Sequence, residues 1–213
     1  MPSFVEAREA MVRRQIEARG IDDPALLAAF RTVPREEFVA PDLALLAYGD
    51  HPLPIGLGQT ISQPYIVALM IAAADIGKGD KVLEIGAGSG YAAAILGQVA
   101  GEVVSVECHA ELADQARRRI AGLGLDNVTI VDGDGSKGWP ASAPYNAILT
   151  AAAAPTVPRA LLDQLRCPGG RLVIPVGGDS WSQKLVKIVR TATDDFVTTD
   201  LGGVRFVPLT GEG

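Results

Sequence analysis

KVLEIGAGSGY, Lys81 to Tyr91, is the stretch whose reading decides the fold. An apolar run of Val82, Leu83 and Ile85 carries one acid, Glu84, and then meets glycines at alternate positions, Gly86, Gly88 and Gly90. Tyr91 to Val99 reads as a helix, so the segment is a strand, a tight glycine turn and a helix opening. Glycine has no side chain in the way, and the backbone of such a turn approaches a nucleotide-like ligand closely. The spacing Gly-x-Gly-x-Gly differs from the dinucleotide pattern Gly-x-Gly-x-x-Gly, because Tyr91 stands where that pattern places its third glycine. A site for S-adenosylmethionine is therefore the first expectation, and a site for NAD the second.

Working outward, the chain beyond Gly79 alternates strands and helices. Strand-like runs fall at Lys81–Ile85, Glu102–Glu107, Val128–Val131, Tyr145–Leu149 and Arg171–Val176. Helix-like runs lie between them at Tyr91–Val99, Ala110–Gly122 and Val157–Leu165. The alternation predicts a mainly parallel sheet covered on both faces. Lys184–Val189 and Phe196–Val207 read as two or three antiparallel strands closing one edge. Upstream, Phe4–Arg19 reads as a helix stopped at Gly20, and a second helix starts at Pro24 behind an acidic cap. Short pieces at Pro34–Phe38 and Leu43–Tyr48, interrupted by Pro41, lead to an extended stretch around Pro52 and Pro54 that ends at Gly56 and Gly58. A further helix is expected from Gln63 to Ala74, with Pro64 in its first turn.

With 213 residues, one domain is expected: an N-terminal helical and loop region over 1–78 and an α/β core over 79–213. Hydrophobic residues make up 48% and charged ones 21%, a globular profile. A net charge of −6 leaves no basic footprint for nucleic acid. Arg117, Arg118 and Arg119 read as a solvated helix face. No apolar run reaches membrane length and no secretory leader is read, so a cytoplasmic chain is expected. Cys108 and Cys167 follow no metal spacing, and with only His51 and His109 available no zinc site is expected to converge.

Glu107 closes the second strand of the core, at the sheet edge where open α/β folds bind ligands. There its carboxylate is placed to accept both ribose hydroxyls of an adenosine; the alternative is an ordinary acid at a strand end. Glu84 is expected to be buried and to support the turn or touch the ligand. Asp134, in Asp132-Gly133-Asp134-Gly135, either accepts from an adenine amino group or only makes a polar turn, with Gly135 leaving room for the ring. The segment Pro52–Pro64 mixes turn formers with Leu53, Ile55, Leu57 and Ile61, so it is expected to pack. Thr60 and Ser62 either cap the next helix or hold a substrate carboxylate beside its N-terminal amides. His51 reads as a loop residue, His109 as solvent-facing, and Tyr91, Trp139 and Trp181 as packing aromatics.

Taken together these motifs resemble the protein-L-isoaspartate O-methyltransferases along nearly the whole chain. The resemblance is carried by VPREEFV (Val33–Val39), PLPIGLGQTISQP (Pro52–Pro64), VLEIGAGSGY (Val82–Tyr91), GDG (Gly133–Gly135), PGGRLVIPVG (Pro168–Gly177) and VRFVPL (Val204–Leu209). It implies a Rossmann-like S-adenosylmethionine-dependent methyltransferase fold. The implied reaction is methyl transfer to the free carboxylate of L-isoaspartyl and D-aspartyl residues in damaged polypeptides. It also implies Ser62 as the active-site residue, with cofactor contacts at Gln59, Thr60, Ile61, Ser62, Glu84, Gly86, Gly88, Gly90, Glu107, Asp134, Gly135 and Thr210. Acceptor contacts are expected at Pro54, Ile55, Thr60, Ser62 and Val207, no metal is expected, and the chain is expected to be a monomer. Asn146 and Ala151 depart from the family pattern; flanking the fourth strand, they are expected to alter pocket polarity without touching the methyl path. The competing readings are a small-molecule methyltransferase and a non-catalytic S-adenosylmethionine-binding protein.

Overall fold

The computed structural model describes residues 3–178 and 183–210. Its centre is a seven-stranded sheet built from β3 (Lys81–Ile85), β4 (Glu102–Glu107), β5 (Val128–Asp132), β6 (Ala147–Thr150), β7 (Arg171–Val176), β8 (Gln183–Ala192) and β9 (Asp195–Val204), in the order β5-β4-β3-β6-β7-β8-β9. Pairing is parallel from β5 to β7 and antiparallel from β7 to β9. The closing edge therefore has two antiparallel strands: β8 is longer than the expected Lys184–Val189, whereas β9 ends at Val204, short of the expected Val207. Strand order reverses between β3 and β6, and the crevice at the carboxyl ends of those two strands is where such sheets bind ligands.

Helices α3 (Pro64–Ala74), α4 (Tyr91–Val99), α5 (Ala110–Gly122) and α6 (Arg159–Asp163) belong to this core. Before them come α1 (Phe4–Met11) and α2 (Pro24–Thr32). Alternating residues sort the sheet into two faces. Val82, Val103, Ala147 and Val173 pack with α2, α3, α4 and α5 in one large cluster, which also takes in Met11, Phe30 and Phe38. Leu83, Val104, Ile148 and Leu172 point the other way, onto Tyr145, Leu161 and Leu165. Helices cover both faces, as expected, but unevenly.

The expected first helix is α-helical only to Met11: a π-helical turn at Val12–Ile16 and a 3-10 turn at Glu17–Arg19 precede Gly20, whose φ is +86°. Asp23 caps α2 through its carboxylate, and Pro24 sits at its first position. Pro41 starts a 3-10 segment, Pro41–Leu46, where the sequence predicted an interruption. The expected extended stretch is a hairpin, β1 (Leu53–Gly56) paired antiparallel with β2 (Gln59–Ile61). Its two-residue turn takes positive φ at both Leu57 (+51°) and Gly58 (+73°).

Candidate functional site

The glycine turn leaves β3 with φ of +90° at Gly86, +54° at Gly88 and +89° at Gly90. These are conformations that side-chain-bearing residues rarely hold. The amides of Gly86 and Ala87 donate to the Val106 carbonyl at 2.8 and 3.2 Å, which ties the turn to β4. Glu107 locks it from the other side. Its Oε2 accepts from the Gly88 amide at 2.8 Å and its Oε1 from the His109 amide at 3.0 Å, and the residue is only 4% exposed. One carboxylate thus fixes both the turn and the start of α5. Oε1 also accepts from the Cys108 thiol at 3.5 Å, and Oε2 keeps a lone pair for a further donor.

Glu84 is buried, as expected, and its carboxyl group accepts from the Ser105 hydroxyl at 2.5 Å. Burial, opposed by that hydrogen bond and reinforced by nearby Glu107, pushes its carboxyl up to about 8. Asp134 makes the polar turn that one of its two readings expects. Its carboxylate accepts from the Ser136 amide and hydroxyl at 3.0 and 2.6 Å and pairs with Lys137 at 3.4 Å, which holds it below its ordinary value. Its neighbour Gly135 packs so closely that a Cβ there would lie 2.3 Å from Ile85 Cγ2.

Two clefts open onto this turn and a third adjoins them. The first is bounded by Thr60, Ile61, Ser62, Glu84, Gly86 and Gly88 and reaches down to Tyr91. The second runs past Gln59, Thr60, Glu107, Gly135 and Thr210, with Ile85 and Val106 as an apolar wall. The third is an open groove of about 420 Å³ between Pro52, Ser62, Gln63, Arg205 and Val207. Thr60 and Ala151 border all three. The structure thus brings most of the expected residues together. Asp134 and Gly90 do not line these walls: Gly90 packs α4 against Ala116 of α5, where a Cβ would approach to 3.1 Å. Pro54 faces a separate groove beside Phe38 and Arg119, and Ile55 lies over Gly88 with its Cδ1 3.1 Å from where a Cβ would stand.

Several expectations need correction. Of the two residues expected to alter pocket polarity without touching the methyl path, Ala151 stands on the wall the three clefts share. Asn146 is remote from it and accepts from the Lys81 amide at 3.0 Å. Arg119 is no solvated charge, since it donates to the carbonyls of Glu37 and Ser89 at 2.9 and 3.1 Å. His109 is half-buried on the second cleft rather than facing solvent, and it converges with Glu107 and Cys108, their ligand atoms within 4.8 Å of one another. The spacing of cysteines and histidines alone hid that group, because its carboxylate completes it. His51 is an exposed loop residue. Tyr91 packs edge-on against Phe38, with centroids 5.3 Å apart, and Trp139 against Gly133. Trp181 lies outside the described residues.

Arg35 went unassigned in the sequence, although it sits in one of the motifs singled out there. It is fully buried. Its Nε donates to the Ala47 carbonyl and its Nη2 to the Ser62 carbonyl, both at 2.7 Å. The guanidinium also lies 4.7 Å from the centre of the Tyr91 ring. Among the described residues Nη1 and the Tyr91 hydroxyl have no hydrogen-bond partner. One buried cation thus joins the Ser62 backbone to the first residue of α4. The available signal was an arginine flanked by the apolar residues Val33, Phe38 and Val39.

A family model, Protein-L-isoaspartate(D-aspartate) O-methyltransferase, matches residues 6–213. A Rhodopseudomonas palustris relative, Protein-L-isoaspartate O-methyltransferase 1, is 56% identical over 99% of this chain and 85% of its own. A solved protein-L-isoaspartate O-methyltransferase superposes with a TM-score of 0.85 at 31% identity, covering 96% of this chain and 66% of that one. A Plasmodium falciparum structure given the same enzyme name, in complex with S-adenosyl-L-homocysteine, matches with a TM-score of 0.80 over 95% of this chain and 98% of its own. At 24% identity it speaks for the fold alone. Among the described residues no helix is long and apolar enough to cross a membrane.

Proposed function

The chain belongs to the protein-L-isoaspartate(D-aspartate) O-methyltransferase family, and on that premise we propose how its own residues divide the reaction. It is an S-adenosylmethionine-dependent methyltransferase whose acceptor is the free carboxylate of isoaspartyl residues in polypeptides. The name its relatives carry includes a protein acceptor, so the small-molecule and non-catalytic readings are left without support.

S-adenosylmethionine supplies a methyl group activated on a sulfonium centre. The residues present fit it: bare backbone at Gly86 and Gly88, a preoriented Glu107 carboxylate with accepting capacity to spare, and the apolar wall of Ile85 and Val106. Gln59, Gly135 and Thr210 would hold the adenosine end in the second cleft, and Ile61 and Glu84 the methionine end in the first. The damaged polypeptide takes the open groove, against Ser62, Val207 and Ile66, with the cation Arg205 on its wall.

The observation that carries this reading is the meeting of donor clefts and acceptor groove at Thr60 and Ala151. An acceptor carboxylate, with a pKa of about 4, is already ionised at neutral pH and needs no general base. The scarcity of histidines is thereby explained. Alignment and exclusion of water remain as the tasks of the chain. Ser62 orients the carboxylate, and its backbone is held from behind by Arg35. The regions 1–78 and 79–213 act as one unit, because one apolar cluster runs through both.

Ser62→Ala tests the assignment. Turnover on an isoaspartyl peptide should fall about tenfold or more, the range for loss of one orienting contact, while calorimetric affinity for S-adenosylmethionine stays within about twofold. Undiminished turnover would remove Ser62 from the role.

A further inference from the structure

Glu107, Cys108 and His109 end β4 and open α5, and each offers one ligand atom, the three within 4.8 Å of one another. We propose that this trio binds a borderline-soft divalent cation, zinc above all, and that an ion there shuts the donor cleft. Nothing in the methyl-transfer reaction requires the Cys108 thiol or the His109 ring.

The donor set suits the ion. Thiolate, imidazole and carboxylate are the three ligand types that zinc takes, and three protein ligands with one open position are a usual arrangement. The geometry is close to ready. Zinc–sulfur and zinc–oxygen bonds of about 2.3 and 2.0 Å at a tetrahedral angle set sulfur and oxygen about 3.5 Å apart. Cys108 Sγ lies 3.5 Å from Glu107 Oε1. The carboxylate cannot swing away, because it is buried and held by the amides of Gly88 and His109. On the cleft side, Thr210 Oγ1 stands 3.4 Å from the sulfur.

In the metal-free chain the thiol donates its proton to Glu107 Oε1. On binding, that proton passes to solvent and the sulfur lone pair forms the metal bond, with no change of oxidation state. Thiolate and carboxylate then balance the ion's two charges. The ion takes the place of the thiol proton on Glu107 Oε1, and because Glu107, Cys108 and His109 all line the second cleft, it stands in the donor's seat, so metal and methyl donor exclude one another. This last step rests on placing the donor at the glycine turn; the metal site itself does not.

Calorimetry with zinc chloride in a non-chelating buffer tests the proposal. One ion per chain should bind with release of about one proton. Saturating S-adenosylmethionine should weaken binding at least tenfold, and so should the double substitution Cys108→Ser with His109→Gln. Cobalt(II) added to the wild-type protein should give a near-ultraviolet thiolate-to-metal band that Cys108→Ser abolishes. Zinc affinity untouched by the double substitution, or no such cobalt band, would overturn the site. Zinc binding that saturating donor leaves unchanged would overturn the closure of the cleft. Because Gly88→Val probes the donor seat without metal, that failure is distinguishable from a misplaced donor.

Discussion

Replacing Arg35 by methionine separates holding the fold together from holding the reaction together. Two buried carbonyls, those of Ala47 and Ser62, lose their donors. At about 1–3 kcal/mol each that is a cost of roughly 2–6 kcal/mol. Loss of the guanidinium from the Tyr91 face adds about 1–2 kcal/mol. Against this, the substitution removes a fully buried cation that forms no ion pair among the described residues. Desolvating such an ion costs several kcal/mol, and burial already holds the Arg35 guanidinium below its ordinary pKa. The two sides nearly cancel, which leaves a net change of about 1–2 kcal/mol, or a melting shift of roughly 2–8 °C at this size. Catalysis has no such compensation. A released Ser62 backbone lets the acceptor contact drift, and a displacement of about 1 Å costs on the order of a hundredfold in rate. Steady-state kinetics on an isoaspartyl peptide, paired with calorimetry of S-adenosylmethionine, should show kcat down about 30- to 100-fold with donor affinity within about threefold. Arg35→Lys, which keeps the charge and reaches one carbonyl, should fall between. Normal kcat in a folded Arg35→Met protein would refute the reasoning. So would equal collapse of kcat, donor affinity and melting temperature, because the residue would then be scaffold alone.

Three further substitutions probe the rest of the site. Gly88→Val places a Cβ 3.1 Å from Ile55 Cδ1 at a φ of +54°, so calorimetric binding of S-adenosylmethionine should vanish while the sheet still melts cooperatively; retained binding would misplace the donor. Ala151→Leu fills the wall common to all three clefts and should weaken donor binding and lower kcat together, each at least tenfold by titration and initial rates. Glu84→Gln tests the buried carboxyl. Folded Glu84 keeps its proton up to about pH 8, whereas the unfolded group releases it near 4.5, so wild-type stability loses about 1.4 kcal/mol for each pH unit between those values. Urea unfolding at pH 5, 6.5 and 8 should show the glutamine variant gaining on wild type as pH rises, and parallel curves would contradict the assignment.

Much of this was legible in the sequence because local rules and tertiary structure agree. The apolar run at Val82–Ile85 is buried on both faces, and the alternate glycines punctuate it where the chain must turn. Asp23-Pro24 announced the start of α2 by cap chemistry alone. The β1–β2 hairpin was hidden because its turn puts Leu57 at positive φ, where asparagine or glycine is the usual signal. Asp134 could not be resolved, since an acid that caps its own turn and an acid that meets a ligand have the same spacing. Arg35 and Arg119 escaped for a common reason: their partners are carbonyls distant in sequence, and a backbone acceptor leaves no mark in the amino-acid order. Ala151 reads as one alanine in a run of four, and only the meeting of β3 with β6 gives it a place on the shared wall.

The most direct measurement incubates the protein with methyl-labelled S-adenosylmethionine and paired peptides that differ only in carrying isoaspartate or aspartate at one position. The account predicts label on the isoaspartyl peptide alone, as a base-labile methyl ester. Label on both peptides alike, or donor binding with no transfer to either, would contradict it.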